Sequence, residues 1–356
     1  MKTAKIEHEH FIKSVTLFDK IVGSVEPINR RVYFYAHSNV LKAYASDGCV
    51  SVNLTLGKVE HFDDFYVAPL DNLKLLSKSG KEDVEIRFSS KLELLKGPEY
   101  ISVLHPFSRD PRKRGSFSAK FEISSKDFAQ TLDLASIILR EGQNVIVGML
   151  EGYFFALSEE YSHIVLSFMN LDGEPFISSM PYESARHLVK GLSVIKNENL
   201  KMGYSEDFIG LKFSNGVMIV CKSALEDVQL DRIKRLLKTK EVEGFRANVK
   251  ELKDGALLAS KFQRKNGGRG YIEFSDKFRI GVLSQHSAYE YSKSIGSDLN
   301  VRMAIIPQKL NQFLSRLKEK YVKILFSKDE GMLFFIGKKA LFAVKEEKSA
   351  PLGTPR

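Results

Sequence analysis

Three stretches decide the reading of this chain: FYVAPLDNLKLLSK (residues 65–78), FISSMPYESARHLVKGL (176–192) and RMAIIPQKLNQFLSRLK (302–318). Each is a short apolar strand running into a proline (Pro69, Pro181 or Pro307) and then a helix. Proline suits the first helical position, where its missing N–H would have no partner. Apolar residues follow at helical spacing: Leu73 and Leu76; Ala185, Leu188 and Leu192; Leu310, Phe313, Leu314 and Leu317. An alternating strand comes next, ending at Phe88, Tyr204 or Phe326. Hairpin partners follow, with Asn215-Gly216 and Asp329-Glu330-Gly331 as turn residues. The first and third prolines are 238 residues apart, and so are Phe88 and Phe326. Two landmarks in one register mark an internal repeat.

A third landmark opens each copy. A short strand leads into an amphipathic helix in AKIEHEHFIKSVTLFDKIV (4–22), KFEISSKDFAQTLDLASIIL (120–139) and FRANVKELKDGALLASKF (245–262). Ser124 or Ser125 can cap the middle helix. Each copy then reads β-α-β-β-β-α-β-β-(β), with two one-faced helices that must pack on one face of an antiparallel sheet. The fold class is α+β, with domains at 1–115, 116–240 and 241–347. Linkers are expected near 106–118 and 235–243, and a disordered tail over 348–356.

Composition agrees with a globular chain. The 356 residues are 43% hydrophobic and 28% charged, enough for two or three domains. The 25 Phe and 13 Tyr exclude global disorder. No apolar run reaches the roughly 18 residues of a membrane span, and MKTAKIEHEHF lacks a signal peptide's apolar region, so the cytoplasm is expected. Cys49 and Cys221 are the two cysteines, which excludes a disulfide framework or a Cys-based zinc site. The net charge of +10 points to an anionic partner, with nucleic acid the commonest for a basic protein. A basic surface serving solubility is the plain alternative. Net charge is +3 over residues 1–115, −2 over 116–240 and +9 over 241–356.

With three copies in this order, the chain resembles the bacterial DNA polymerase III beta sliding clamp, as a divergent member, over about residues 2–347. Ala45-Ser46-Asp47-Gly48 looks like a turn common in clamp domains, and Lys234-Arg235-Leu236-Leu237 like the family's basic-basic-apolar-apolar string. The resemblance implies half of a ring, closed by a head-to-tail homodimer, that encircles duplex DNA and tethers a polymerase. It implies a clamp loader and other proteins bearing a clamp-binding motif as partners, and no catalytic residue, cofactor, metal or membrane.

The DNA-facing helices would carry Lys13, Lys20, Lys74 and Lys78; Lys126, Arg140, Arg186 and Lys190; and Lys250, Lys253, Lys261, Arg264, Lys265, Lys309, Arg316 and Lys320. Each alone reads more readily as a solvated helix face than as a DNA contact; their recurrence on successive helices is the signal. The partner-peptide pocket carries over to Leu157, Ser158, Arg235, Leu236, Phe342 and Val344. Asp231 stands where the family has proline, Glu159-Glu160 where it has Asp-Gly, and Lys345-Glu346-Glu347 in place of its C-terminal string. Either the peptide partner is unusual or the pocket is weakened. A net positive chain also departs from a family that is acidic overall and basic only inside.

Other constellations carry less. His8 and His10 lack further metal ligands. Asn266-Gly267-Gly268-Arg269-Gly270 lacks P-loop spacing and follows a helix instead of opening one. Asp63-Asp64, Glu159-Glu160 and Glu206-Asp207 read as surface turns. Two further readings stay open: a clamp paralogue or mobile-element clamp serving another polymerase or repair factor, and an enzyme on a repeated α+β scaffold.

Overall fold

The computed structural model describes residues 1–23, 26, 29–104, 107–112, 118–195, 198–225, 230–296 and 299–346. The 348–356 tail and residues 113–117 of the basic linker lie outside the described residues. The first copy contains β1 (Lys2–Ile6), α1 (His8–Val22), β2 (Arg31–His37), β3 (Val40–Ser46), β4 (Val50–Lys58), β5 (Phe65–Pro69), α2 (Leu70–Lys78), β6 (Val84–Phe88), β7 (Leu92–Lys96) and β8 (Glu99–Val103). After β9 (Phe107–Ser108) comes the second: β10 (Phe121–Ser124), α3 (Ser125–Ala135), β11 (Asn144–Leu150), β12 (Tyr153–Glu160), β13 (His163–Asn170), β14 (Phe176–Pro181), α4 (Tyr182–Leu192), β15 (Asn199–Tyr204), β16 (Phe208–Phe213) and β17 (Met218–Lys222). Between copies lie β18 (Ala224–Leu225) and α5 (Leu230–Thr239). The third holds β19 (Phe245–Asn248), α6 (Val249–Asn266), β20 (Arg269–Phe274), β21 (Lys277–Leu283), β22 (Ala288–Ser294), β23 (Val301–Ala304), α7 (Pro307–Arg316), β24 (Tyr321–Ser327), β25 (Met332–Ile336) and β26 (Ala340–Lys345).

Each copy is therefore one strand, a helix, four strands, a helix and three strands. The sequence pattern undercounted the middle group by one, because the strand entering each proline also pairs. The expected linker at 235–243 overlaps α5. Ile233, Leu236 and Leu237 recur there at helical spacing and are buried, which makes the segment an amphipathic helix. Pro307 opens α7 as its first residue, whereas Pro69 and Pro181 sit one position earlier, at the N-caps of α2 and α4.

The chain packs as two compact units: residues 1–130 with 178–226, and 131–177 with 227–356. The second copy is shared between them. In the first unit, a four-stranded sheet runs β1-β6-β7-β8 and a nine-stranded sheet runs β10-β15-β16-β17-β4-β3-β2-β5-β9. The larger one is continuous across two copies because β17 pairs antiparallel with β4, from Met218↔Asn53 to Cys221↔Val50. Helix α1 packs against both α2 and α4.

The second unit repeats the device. β13 pairs with β26, from His163↔Val344 to Ser167↔Ala340, and so joins β11-β12 to β25-β24-β19. A separate four-stranded sheet runs β22-β21-β20-β23. In both junctions the third strand of a copy's middle group meets the last strand of the following copy. By that order β22 and β8 remain as sheet edges.

Glycine permits one close approach. A Cβ on Gly255, inside α6, would stand 2.7 Å from the Tyr291 ring and 2.8 Å from Ile280 Cγ2, so α6 lies directly on β21 and β22. Gly255→Leu should lower the unfolding free energy by about 1–3 kcal/mol through overpacking. Urea unfolding measures it, and an unchanged midpoint would show that the packing there is loose.

Candidate nucleic-acid interface and partner site

In the first unit, burying Phe11, Val15, Phe18 and Ile21 turns Lys13 and Lys20 of α1 to solvent. Lys78 is exposed in the last turn of α2, and Lys126 in the first turn of α3. Arg186 and Lys190 are exposed on α4, the Arg186 guanidinium 5.4 Å from the Tyr182 ring centre. Lys74 is half-buried instead, its Nζ 2.8 Å from Asp19 Oδ1, and holds α2 to α1.

In the second unit, α6 starts where the Asn248 side chain accepts from the Lys250 N–H at 2.9 Å, a regular N-cap. It buries Leu252, Gly255, Ala256 and Ala259 and presents Lys250, Lys261, Arg264 and Lys265 to solvent, with Lys253 half-buried. Arg316 of α7 pairs with Asp133 at 2.8 Å, so its charge is partly neutralised. Lys320 lies beyond α7 and lines an open groove of about 740 Å³ with Arg246, Lys323 and Lys338. That cationic groove gathers residues from strands and turns, so no helical stripe announced it.

One expected DNA contact is corrected. Lys309 is 5% exposed and pairs with the buried Glu160, at the end of β12. Arg140 pairs with the same carboxylate at 3.1 Å, although its own side chain stays open to solvent. Burial pulls the Lys309 ammonium below the ordinary lysine range while Glu160 opposes the shift. Beside them His163 Nε2 accepts the Ile306 backbone N–H at 3.1 Å, which requires an unprotonated nitrogen. Burial, reinforced by Lys309, lowers His163 to about 3. The first unit has a counterpart: Asp47, closing the β3–β4 hairpin, accepts from His187 of α4 at 2.5 Å and from the Cys49 and Val50 N–H groups.

Around α5 the structure separates the expected pocket residues into two groups. Leu236 joins Ile233 and Leu237 in an apolar cluster with Phe155, Leu157, Ile164, Leu166, Phe334, Leu341 and Ala343. Leu157 is thus on the α5 side of the sheet. Ser158, Phe342 and Val344 are not: Ser158 Oγ donates to the Ala135 carbonyl, and the Phe342 ring stacks near Phe313 of α7 with centroids 5.5 Å apart. Val344 shares the Phe342 side of β26. Leu341 and Ala343 are the residues of β26 that face α5. Strand β26 is buried on both faces, so its pattern gave no sign of which side met α5. Arg235 is exposed, 3.9 Å from Glu330, and Arg232 holds the Glu159 carboxylate at distances of 2.8 and 2.9 Å. Among the described residues no group of three or more His, Cys, Asp or Glu could hold a metal, and no helix is long and apolar enough to cross a membrane.

Repeated copies joined through their sheet edges, with basic helix faces, define a class of fold. Solved structures of the same fold include a putative DNA polymerase III beta subunit from Eubacterium rectale (TM-score 0.80, 12% identity), the beta subunit from Thermotoga maritima (0.79, 14%) and a DNA polymerase sliding clamp from Pseudomonas aeruginosa (0.80, 13%). Each match covers 98% of this chain and 100% of the other. No protein-family model and no curated protein sequence matches the chain. The chain has the fold of the DNA polymerase III beta subunit.

Removing one member of the buried pair is expected to be costly. Lys309→Met leaves Glu160 buried with Arg140 alone and should destabilise the protein by about 3–5 kcal/mol, most of it recovered in Lys309→Met/Glu160→Met. Equal stability of single and double variants in denaturant would refute this. A second expectation concerns acid. His163 stays neutral in the folded chain while the unfolded chain takes a proton below about 6.5. Its contribution is therefore intact above that pH and disappears progressively towards about 3. His163→Gln should flatten the stability profile across this window; an unchanged slope would assign the acid sensitivity elsewhere.

Proposed function

We propose that this chain is a DNA sliding clamp, a non-catalytic processivity factor for a DNA polymerase. Two copies close head to tail into a ring around duplex DNA, with residues 1–115, 116–240 and 241–347 acting as its three domains on each side. The repeated strand junction, set in a fold matched over the whole chain, carries this reading. Two of three possible junctions are made within the chain, β4 with β17 and β13 with β26. The remaining edges, β22 and β8, are complementary by the same rule and would meet across two copies. Closed symmetry then needs two such junctions per ring.

A tether that slides must hold phosphates without reading bases. The exposed cations of α1, α4 and α6 are suited to this, being flexible, solvated and spread over successive helices. The polymerase, the clamp loader and other proteins bearing a clamp-binding motif would dock by a short peptide at the α5 face. There the exposed Leu230 and Arg235 flank the apolar cluster.

After loading onto nicked circular DNA, the protein should remain bound through gel filtration and run off once the circle is linearised. Equal dissociation from both substrates would overturn the proposal. Before loading, affinity for DNA should fall steeply with salt. Reversing Lys261, Arg264 and Lys265 together should reduce the salt slope, by about 0.9 for each phosphate no longer neutralised. A slope indifferent to the triple change would remove α6 from the interface.

A further inference from the structure

The cationic groove that contains Lys320 belongs to the side of the sheet that α5 covers. Lys323 of β24 pairs in register with Arg246 on one neighbouring strand and with Ile336 on the other, so the three side chains share a face. Leu325, two residues after Lys323, lies on the same face. Leu325 and Ile336 both pack on the apolar cluster of Ile233, Leu236 and Leu237. The floor of the groove therefore continues the α5 face. Phe342, on the other side of the sheet, meets α7. Helix α7, which packs against α6, thus lies across the sheet from the groove.

Five cations line the groove, Lys240, Arg246, Lys320, Lys323 and Lys338, against two acids, Glu241 and Glu319. Glu319 is already engaged, accepting the Lys318 and Lys338 N–H groups at 2.9 and 2.8 Å. Lys323 Nζ donates to the Lys240 and Val242 carbonyls, just beyond α5. Burial, reinforced by Arg246, draws its ammonium below the ordinary lysine range. Lys240 Nζ stands 3.6 Å from the centre of the Tyr153 ring, and Tyr153 packs on the α5 cluster. Arg246, Lys320 and Lys338 are exposed and form no ion pair among the described residues. A positive floor with three unpaired cations around it is complementary to carboxylates.

We propose that this groove receives an acidic segment of a partner's docking peptide, next to the apolar residues that the α5 face holds. This rests on the peptide docking proposed above and adds the chemistry of the partner. Continuity with α5 selects a peptide over a nucleic acid, because a chain lying along the helix from Leu230 reaches the groove at the other end. The 10 residues of α5 span about 15 Å. An extended chain crosses that distance in about five residues. The acids should therefore stand about that far from the apolar anchor, where neutral side chains would gain nothing from the cations.

Fluorescence anisotropy with labelled synthetic peptides bearing a clamp-binding motif tests the groove. One pair carries a run of glutamates at that spacing, before or after the motif, and a matched pair carries glutamines. One glutamate peptide should bind about fivefold more tightly than its glutamine match at low salt, an advantage that fades as salt rises. Arg246→Glu/Lys338→Glu should abolish the advantage while leaving the affinity of the glutamine peptide and the thermal midpoint unchanged, since both side chains are exposed. Equal binding of glutamate and glutamine peptides, or an advantage that survives the double reversal, overturns the role of the groove and leaves docking at α5 standing. Loss of oligothymidylate binding in the double variant, with every peptide unaffected, assigns the groove to nucleic acid and also overturns it. Binding of no peptide at all overturns both the groove and the docking.

Discussion

Antiparallel pairing between the edge of one copy and the edge of the next is the constraint on which this structure depends. An open strand edge is a liability, because its unpaired N–H and C=O groups will accept any strand offered. Here β4 is closed by β17 and β13 by β26, so separately built sheets become continuous. The apolar faces follow from that continuity. Phe342 reaches α7 and Leu341 reaches α5 because β26 completes a sheet begun in another copy. The buried acid–base pairs at the hairpin tips, Asp47 with His187 and Glu160 with Lys309, play a different part. A buried ion pair adds little net stability but is costly to halve.

The charge distribution is consistent with two separate roles. Cations that fix structure, Lys74 and Lys309, have carboxylate partners, the first half-buried and the second buried. Those left outside, such as Lys13, Lys190, Lys261 and Lys265, sit on helices whose other faces are committed to the core. Long flexible side chains on rigid helices can follow a moving phosphate backbone with little reordering. Helix α6 and the groove beyond α7 carry part of the positive charge of residues 241–356.

Much of the fold was legible because proline, helical spacing and alternation each leave a local mark. The strand–proline–helix units, the opening helices and the threefold order are all present as read. Failures came where the deciding partner is remote or the pattern is uniform. Lys309 looks like any basic residue on an amphipathic helix, and its acid lies 149 residues away. Residues 340–344 are buried on both faces, so no alternation revealed which side meets α5. Helix α5 was mistaken for a linker because it is short and strongly charged, with three apolar residues as its anchor. Asp47 was noticed as part of a turn, but its buried hydrogen bond with His187 required the fold.

In the proposed ring, β8 and β22 would be closed by a second chain, as β4 and β13 are closed within one. Amide hydrogen exchange at high and low protein concentration tests this most directly. Glu99–Val103 and Ala288–Ser294 should be protected in concentrated solution and become exchangeable together on dilution, while Met218–Lys222 and Ala340–Lys345 remain protected throughout. Rapid exchange in β8 and β22 at every concentration would contradict the account.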